Sequence, residues 1–241
     1  MYRFYLSKKI EDPQQIIINN KEIIKKITKV LRKSVGDTFI LFDDQAEEYE
    51  VKLTEIKKDQ IICQAISRNF IDRELALEIN LYQSLLKKDK FELVLQKATE
   101  IGVKKIIPII SENCIVKDLS KTKISRYEKI LTEATMQSGG KITPELNQVL
   151  DFEKAIAELN TEDFNLIAHE REQDNKLINI LQNNNFKKIN LFIGPEGGFS
   201  EQEINLAQRY SVLSFSLGKR ILRAETAALV ACGTISQIFI N

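Results

Sequence analysis

The sequence contains few of the residues on which metal sites, disulfide frameworks and flexible linkers depend. It has three cysteines, one histidine, nine glycines, four prolines and no tryptophan in 241 residues. Cys63, Cys114 and Cys232 are far apart and odd in number, so neither a disulfide framework nor a metal site is expected. The glycine and proline content leaves no room for a long disordered linker.

Long apolar runs are also missing. No stretch approaches the roughly 18 residues of a membrane span, and residues 1–9 lack an apolar core long enough for a signal peptide. With 43% hydrophobic and 29% charged residues, the composition is that of an ordinary globular protein. We therefore predict a cytoplasmic protein with no membrane partner, built as one large domain or two modest ones.

Net charge is low as well. The formal value of +1 does not indicate a nucleic-acid binder. The charge is unevenly placed, however, because residues 1–40 hold nine Lys/Arg against four Asp/Glu, whereas residues 41–60 hold three against seven. Positive charge is therefore concentrated near the N-terminus.

The N-terminal region has the pattern of a small β-rich domain. Strands are predicted at residues 2–6, 38–42, 48–53 and 60–66, with a turn at 43–45. Residues 20–33 predict an amphipathic helix with one apolar face, formed by Ile23, Ile24, Ile27, Val30 and Leu31. The opposite face is basic and carries Lys21, Lys25, Lys29 and Arg32. Such a face is either a solvated surface or a contact for RNA phosphates.

From about residue 73, predicted strands and helices alternate. The strands fall at residues 76–83, 105–110, 164–168, 188–193 and 212–217. The helices fall at residues 87–101, 125–137, 176–181 and 225–239. This alternation predicts a largely parallel α/β sheet, and the pattern alone favours an unknotted one. Pro108 indicates an edge or an irregular position in its strand.

The chain is organised around a glycine-rich loop at residues 194–199. It follows a predicted buried strand and precedes Ser200-Glu201-Gln202-Glu203, a capping box that opens a helix. Its glycines permit positive φ and a close approach of a ligand, and the helix N-terminus offers free N–H groups. The sequence matches neither a P-loop nor a Rossmann turn. The alternatives are a ligand site and a tight structural turn set by Pro195.

A second loop follows at residues 218–226. Gly-Pro-Glu-Gly-Gly-Phe-Ser at residues 194–200 and Leu-Gly-Lys-Arg-Ile-Leu-Arg-Ala-Glu-Thr-Ala at 217–227 resemble the two signature loops of the SPOUT methyltransferases. The closest resemblance is to the RsmE family. It extends to Val-Leu-Arg at residues 30–32, Gly-Asp at 36–37 and the stretch 96–103, and so covers nearly the whole chain.

This resemblance implies a fold and an activity. The fold is α/β: a PUA-like β-barrel for RNA binding at residues 1–72, and a SPOUT domain with a trefoil knot at residues 73–241. The activity is methylation of uridine N3 in 16S ribosomal RNA of the small subunit, with S-adenosyl-L-methionine (SAM) as cofactor and no metal. The substrate is the ribosomal RNA or the assembled subunit. A SPOUT enzyme with another RNA target, such as a ribose 2′-hydroxyl, and a non-catalytic RNA-binding module are the alternatives.

The resemblance also implies the site residues. SAM would be bound by Ala168, His169, Gly194, Glu196, Gly197, Gly198, Leu217, Gly218, Ile221, Leu222 and Thr226. Arg223 and Arg220 would stabilise the uracil anion, and Glu196 or Glu225 would accept its proton. Both arginines could instead be structural partners of these two glutamates. His169 either lines the pocket, which we favour, or acts as a base.

RNA contacts are expected at Arg3, Lys21, Lys25, Lys29, Arg32 and Gln137. The sequence departs from the family pattern at Met136, where relatives usually have Glu, and at Gly140, where they usually have Arg. Lys141 is a candidate replacement for that arginine.

The last predicted helix, residues 225–239, is apolar around almost its whole circumference. This predicts that both of its faces are buried, with Ile235 in the interface of a two-fold homodimer. The alternative is that the helix at residues 125–137 covers the second face.

Overall fold

The structure is a computed structural model, and it describes residues 1–43, 45, 47–69, 73–87, 89–182 and 186–239. These residues form two compact units, the first comprising Met1–Glu74 with Thr135–Ile142 and the second Leu75–Ala134 with Thr143–Asn241. Asp44 of the predicted turn, Lys88 of a predicted helix and residue 72, which ends the predicted first domain, lie outside the described residues.

The first unit is built on a curled five-stranded sheet in the order β1-β3-β4-β5-β2. Its strands are β1 Arg3–Leu6, β2 Ile16–Ile18, β3 Thr38–Asp43, β4 Glu48–Ile56 and β5 Ile61–Asn69. β1 pairs with β3 in parallel, and the other pairs are antiparallel. Register shifts between β4 and β5 mark bulges, which bend the paired strands. The sequence analysis missed β2 because three residues are too few to show a period.

The predicted basic helix is divided in two. Helix α1 spans Lys21–Lys25 and continues as a π-helical turn over Lys26–Val30. The wider turn changes which side chains face the sheet. Ile27 is fully buried as predicted, whereas Val30 is 64% exposed, so its predicted place on the apolar face is wrong. Arg32, with φ of 51°, lies beyond the helical turn rather than within a helix.

Arg3 is a structural residue of this unit. Its guanidinium forms an ion pair with the buried Glu48, and its Nε lies 3.1 Å from Glu48 Oε2. Nη1 donates to the carbonyl oxygens of Met136 at 3.2 Å and Gly140 at 3.3 Å, and the group lies 4.5 Å from the ring centre of Phe42. These contacts occupy the Arg3 guanidinium within the protein, and its predicted contact with RNA stays a prediction. Removing one charge of such a buried pair typically costs about 3–5 kcal/mol, because the other is left unpaired.

The second unit contains a seven-stranded parallel sheet in the order β12-β10-β11-β6-β7-β8, with β9 also paired to β7. The strands are β6 Glu78–Ser84, β7 Lys105–Ile110, β8 Glu145–Leu146, β9 Leu150–Asp151, β10 Phe164–Ala168, β11 Lys188–Ile193 and β12 Leu213–Phe215. The remaining helices are α2 Asp89–Ile101, α3 Lys121–Ser138, α4 Phe152–Ala157, α5 Leu177–Gln182, α6 Glu201–Arg209 and α7 Ala224–Ile238. The predicted parallel α/β sheet is confirmed.

Pro108 occupies the irregular position that the sequence predicts. On one side β7 pairs with β6 along its length. On the other side β8 pairs at Lys105 and Ile106, and β9 pairs at Ile109 and Ile110. Pro108 lies between these two short pairings, where its missing N–H breaks no ladder on that side.

Helix α7 packs against α2, α5 and β11 within the second unit. Ala228, Cys232 and Ile235 are fully buried there. Ile235 is therefore a core residue of the single chain, and its predicted place in a dimer interface is wrong. None of the helices in the described ranges has the length and apolarity that crossing a bilayer requires.

Candidate active site

A cavity of about 690 Å³ lies at the carboxyl edge of the parallel sheet. Three neighbouring strands, β10, β11 and β12, end at this cavity, and the residues that follow each of them form its wall. This is the edge at which parallel α/β sheets bind ligands. The volume is that of a pocket for a drug-sized molecule.

The glycine-rich loop after β11 is a tight turn in which the N–H of Gly198 donates to the carbonyl of Pro195 at 3.0 Å. Gly198 has φ of +69°, and a Cβ built there would meet no atom within 4 Å. The loop leads into α6 through a complete capping box between Ser200 and Glu203, as predicted. The structure thus contains the tight turn, and the same loop lines the cavity.

Glu196 is held in the loop by the start of α2. Its Oε1 lies 3.2 Å from Lys90 Nζ and 3.5 Å from the backbone N–H of Lys87. Burial raises the pKa of the Glu196 carboxyl, but hydrogen bonds from its own backbone N–H, from Lys90 and from Lys87 outweigh burial and lower the pKa. The carboxylate is therefore ionised at neutral pH and is a weaker base than an ordinary glutamate.

The second loop presents a cationic side of the cavity. Lys219, Arg220 and Arg223 are exposed and line it. Within the described part of the chain, the guanidinium groups of Arg220 and Arg223 have no ion-pair or hydrogen-bond partner. The alternative in which Glu196 and Glu225 bind these arginines is therefore not what the structure contains.

The structure brings twelve of the predicted cofactor and catalytic residues to the cavity wall. They are Ala168, His169, Gly194, Glu196, Gly197, Gly198, Leu217, Gly218, Arg220, Ile221, Leu222 and Arg223. Glu225 and Thr226 are outside the lining. Glu225 is buried, and its Oε2 has no hydrogen-bond partner among the described residues, whereas Thr226 is exposed.

The lining residues that the sequence analysis missed include Lys90, Asn113, Arg171 and Glu201. Lys90 comes from α2, Asn113 follows β7, and Arg171 and Glu201 form an ion pair. Both side chains of that ion pair are more than two-thirds exposed, so it contributes little to stability. Lys90 and Asn113 are distant in sequence from both signature loops, and no local pattern marks them.

The predicted RNA contacts other than Arg3 lie on the surface of the first unit. Lys21, Lys25, Lys29, Arg32 and Gln137 are all exposed. In the described part of the chain no group of three or more His, Cys, Asp or Glu side chains could hold a metal ion.

A glycine-rich loop and two neighbouring strand ends around one cavity define a ligand-binding α/β protein. A family model described as an RNA methyltransferase domain matches residues 73–236, and one described as an RNA methyltransferase PUA domain matches residues 18–66. The chain belongs to this family of RNA methyltransferases.

Curated relatives match along nearly the whole chain. The two described next are each named ribosomal RNA small subunit methyltransferase E. The protein of Mesomycoplasma hyopneumoniae is 34% identical, over 95% of this chain and 96% of its own. The protein of Bacillus subtilis is 30% identical, over 98% of this chain and 96% of its own.

Solved structures are also similar to this chain over nearly its whole length. A ribosomal RNA small subunit methyltransferase E from Neisseria gonorrhoeae, bound to S-adenosyl methionine, superposes with a TM-score of 0.89 at 30% identity, covering 99% of this chain and 98% of that one. A methyltransferase from Legionella pneumophila in complex with SAM gives a TM-score of 0.86 at 31% identity, covering 98% and 96%.

Proposed function

We propose that this chain transfers a methyl group from SAM to N3 of a uridine in 16S ribosomal RNA of the small subunit. The observation that carries the proposal is the joining of the two signature loops around one cavity at the edge of the parallel sheet. The relatives named above support both the cofactor and the substrate.

The cavity fits the cofactor in size and in lining. Its volume of about 690 Å³ suits a molecule of this size. Gly198 leaves open space beside the backbone, and Leu217 and Leu222 provide apolar surface for an adenine ring. We assign SAM binding to the predicted residues that line the cavity, and Thr226 to a supporting place at the start of α7.

SAM would supply an electrophilic methyl group attached to a sulfonium. The protein must orient uridine so that N3 meets that methyl group in line, and must stabilise the anion left when the imide proton is lost. Arg223 and Arg220 suit this second task because their charges are unpaired at the cavity. Of the two candidate proton acceptors, Glu196 has a lowered pKa and is a weaker base than an ordinary glutamate, and Glu225 has an Oε2 without a partner among the described residues. His169 is assigned to the pocket wall.

We further propose that residues 1–72 form a PUA-like barrel that binds RNA and residues 73–241 a SPOUT domain with a trefoil knot. The two family matches support this division. Lys21, Lys25, Lys29, Arg32 and Gln137 would contact the RNA, free or in the assembled small subunit. With a ribosomal substrate the site of action is the cytoplasm, and the reaction needs no metal.

Mass spectrometry of small-subunit ribosomal RNA from a deletion strain tests the target. We expect one methyl group to be lost from a uridine base and restored by the purified protein with SAM. Loss of a ribose 2′-O-methyl group would support another RNA target. Unchanged modification, with no calorimetric binding of SAM at millimolar concentration, would favour the non-catalytic module.

We also propose a homodimer formed through α7. An exposed stripe of this helix carries Thr226, Val230 and Gln237, next to the partly buried Ala227 and Gly233. Small residues let another backbone approach closely, and Ala227 also lines the cavity. A partner on this stripe would therefore lie beside the proposed site.

Replacing Val230, which is 40% exposed, with aspartate should give monomers and abolish methylation, because a charge would be placed in an apolar interface. Sedimentation at low micromolar concentration measures the change. Ile56→Asp is the matched control, since Ile56 is 41% exposed but lies on β4 of the first unit. A wild-type protein that sediments as a monomer and still methylates RNA would contradict the dimer.

A further inference from the structure

The glycine-rich loop accepts hydrogen bonds from Asn113, a residue from a different part of the sheet. Asn113 follows β7, which is separated from β11 by β6 in the strand order. Its Nδ2 donates to the carbonyl oxygens of Gly197 at 3.3 Å and Gly198 at 3.1 Å. A carboxamide nitrogen carries two hydrogens, so one side chain can serve both carbonyls at once.

The residue before Asn113 makes a second connection to the same loop. The backbone N–H of Glu112 donates to Glu203 Oε1 at 2.8 Å, and Glu203 Oε2 accepts from the backbone N–H of Ser200 at 2.8 Å. Glu203 is buried, so this bridge is shielded from water. Two consecutive residues after β7 thus hold both the glycine turn and the start of α6.

The packing between the two segments is close. A Cβ placed on Gly197 would lie 3.0 Å from the Cβ of Asn113, a distance that side chains do not tolerate without movement. Gly197 therefore lets Asn113 pack closely against the loop. Glycine usually lets a backbone approach a ligand, but here it also lets a neighbouring side chain approach the backbone.

These contacts fix the orientation of two peptide groups. In a trans peptide the C=O and the following N–H point in opposite directions. A fixed carbonyl of Gly198 therefore fixes the direction of the N–H of Phe199, and a fixed carbonyl of Gly197 does the same for the N–H of Gly198. Without such contacts, a loop with three glycines would lose much conformational entropy when it orders around a ligand.

We infer that Asn113 is a positioning residue that preorganises the glycine-rich loop for the methyl-donor cofactor. The inference rests on the proposed function, because it assigns the loop to SAM. Preorganisation raises affinity by lowering the ordering cost of binding rather than by adding contacts to the ligand. Removing the hydrogen bonds from Asn113 should therefore weaken SAM binding and leave the rate with saturating SAM nearly unchanged.

The test compares Asn113→Ala and Asn113→Asp with the unmodified protein. Calorimetry should show SAM affinity reduced by at least about fivefold in Asn113→Ala, the smallest loss expected for two ordinary hydrogen bonds. Asn113→Asp keeps the shape of the side chain but turns a carboxylate oxygen, which cannot donate a hydrogen bond, towards two carbonyl oxygens. Its loss of SAM affinity should therefore be larger. Glu112→Gln is the control, since it alters the neighbouring side chain and keeps the backbone N–H; its SAM affinity should equal that of the unmodified protein.

Hydrogen exchange without SAM separates positioning from direct contact with the cofactor. In Asn113→Ala the amide of Gly198 should exchange several-fold faster, although no ligand is present. Wild-type SAM affinity in either Asn113 variant, or unchanged exchange in the loop, would overturn the inference. If the unmodified protein failed to bind SAM, the proposed function itself would fail, which is a distinct result.

Discussion

Replacing Gly198 with valine should weaken SAM binding by at least about thirtyfold while the protein stays folded. Gly198 has φ of +69°, a left-handed conformation that costs a residue with a side chain about 1–2 kcal/mol, and more when it is β-branched. No atom lies within 4 Å of the added Cβ, so the free protein has open space at this position. The valine would occupy space beside the loop that the cofactor needs.

Gly36→Val is the matched control for this prediction. Gly36 has φ of +101° and equally open surroundings, but it lies in the first unit and not in the cavity wall. The two variants should lose similar thermal stability, and only Gly198→Val should lose SAM affinity by calorimetry. Wild-type affinity in Gly198→Val would contradict the assigned role of the loop.

The elements around the site could be predicted from the sequence because their signals are local. Residues 188–193 form one apolar run, and Ser200 and Glu203 have the spacing of a capping box, so strand, loop and helix follow directly. Leu217 to Arg223 were identified by resemblance to a signature loop. The structure places Ile193, Ser200 and the residues from Leu217 to Arg223 around one cavity.

Residues brought in by tertiary packing could not be predicted in this way. Lys90 and Asn113 reach the glycine loop from α2 and from the end of β7, and nothing in their own neighbourhoods marks them. The structural contacts of Arg3 could not be predicted for the same reason: its partner Glu48 lies 45 positions away, and only the fold brings them together.

The polar interior of the sheet shows a further limit. Asn190 lies in the middle of a run predicted as a buried apolar strand. In the structure its side chain accepts a hydrogen bond from Asn80 at 2.9 Å and donates one to Asn165 at 2.8 Å, across three adjacent strands. Each asparagine is costly to bury alone, and the register of the parallel strands lets their side chains pair, although Asn80 Oδ1 has no partner among the described residues. Strand pairing therefore explains why Asn190, a polar residue, lies in a strand that is otherwise largely apolar.

Replacing Arg223 with alanine should lower kcat about 10²–10³-fold and leave SAM affinity nearly unchanged. That is the usual effect of removing one preorganised donor from a charge that develops in the transition state. Arg223 precedes the first residue of α7 and lines the cavity, and its guanidinium has no partner within the described chain, so this group is available to a uracil oxygen. Single-turnover methylation with saturating SAM and RNA measures the chemical step.

Two further variants define what the arginine contributes. Arg223→Lys keeps the charge but loses the planar fork of donors, so it should recover only part of the rate. Arg209→Ala removes an exposed arginine from the end of α6, outside the cavity wall, and should leave kcat unchanged. If Arg223→Ala instead raised KM for RNA and left kcat unchanged, the arginine would bind substrate and transition state equally, and stabilisation of the anion would have to come from Arg220.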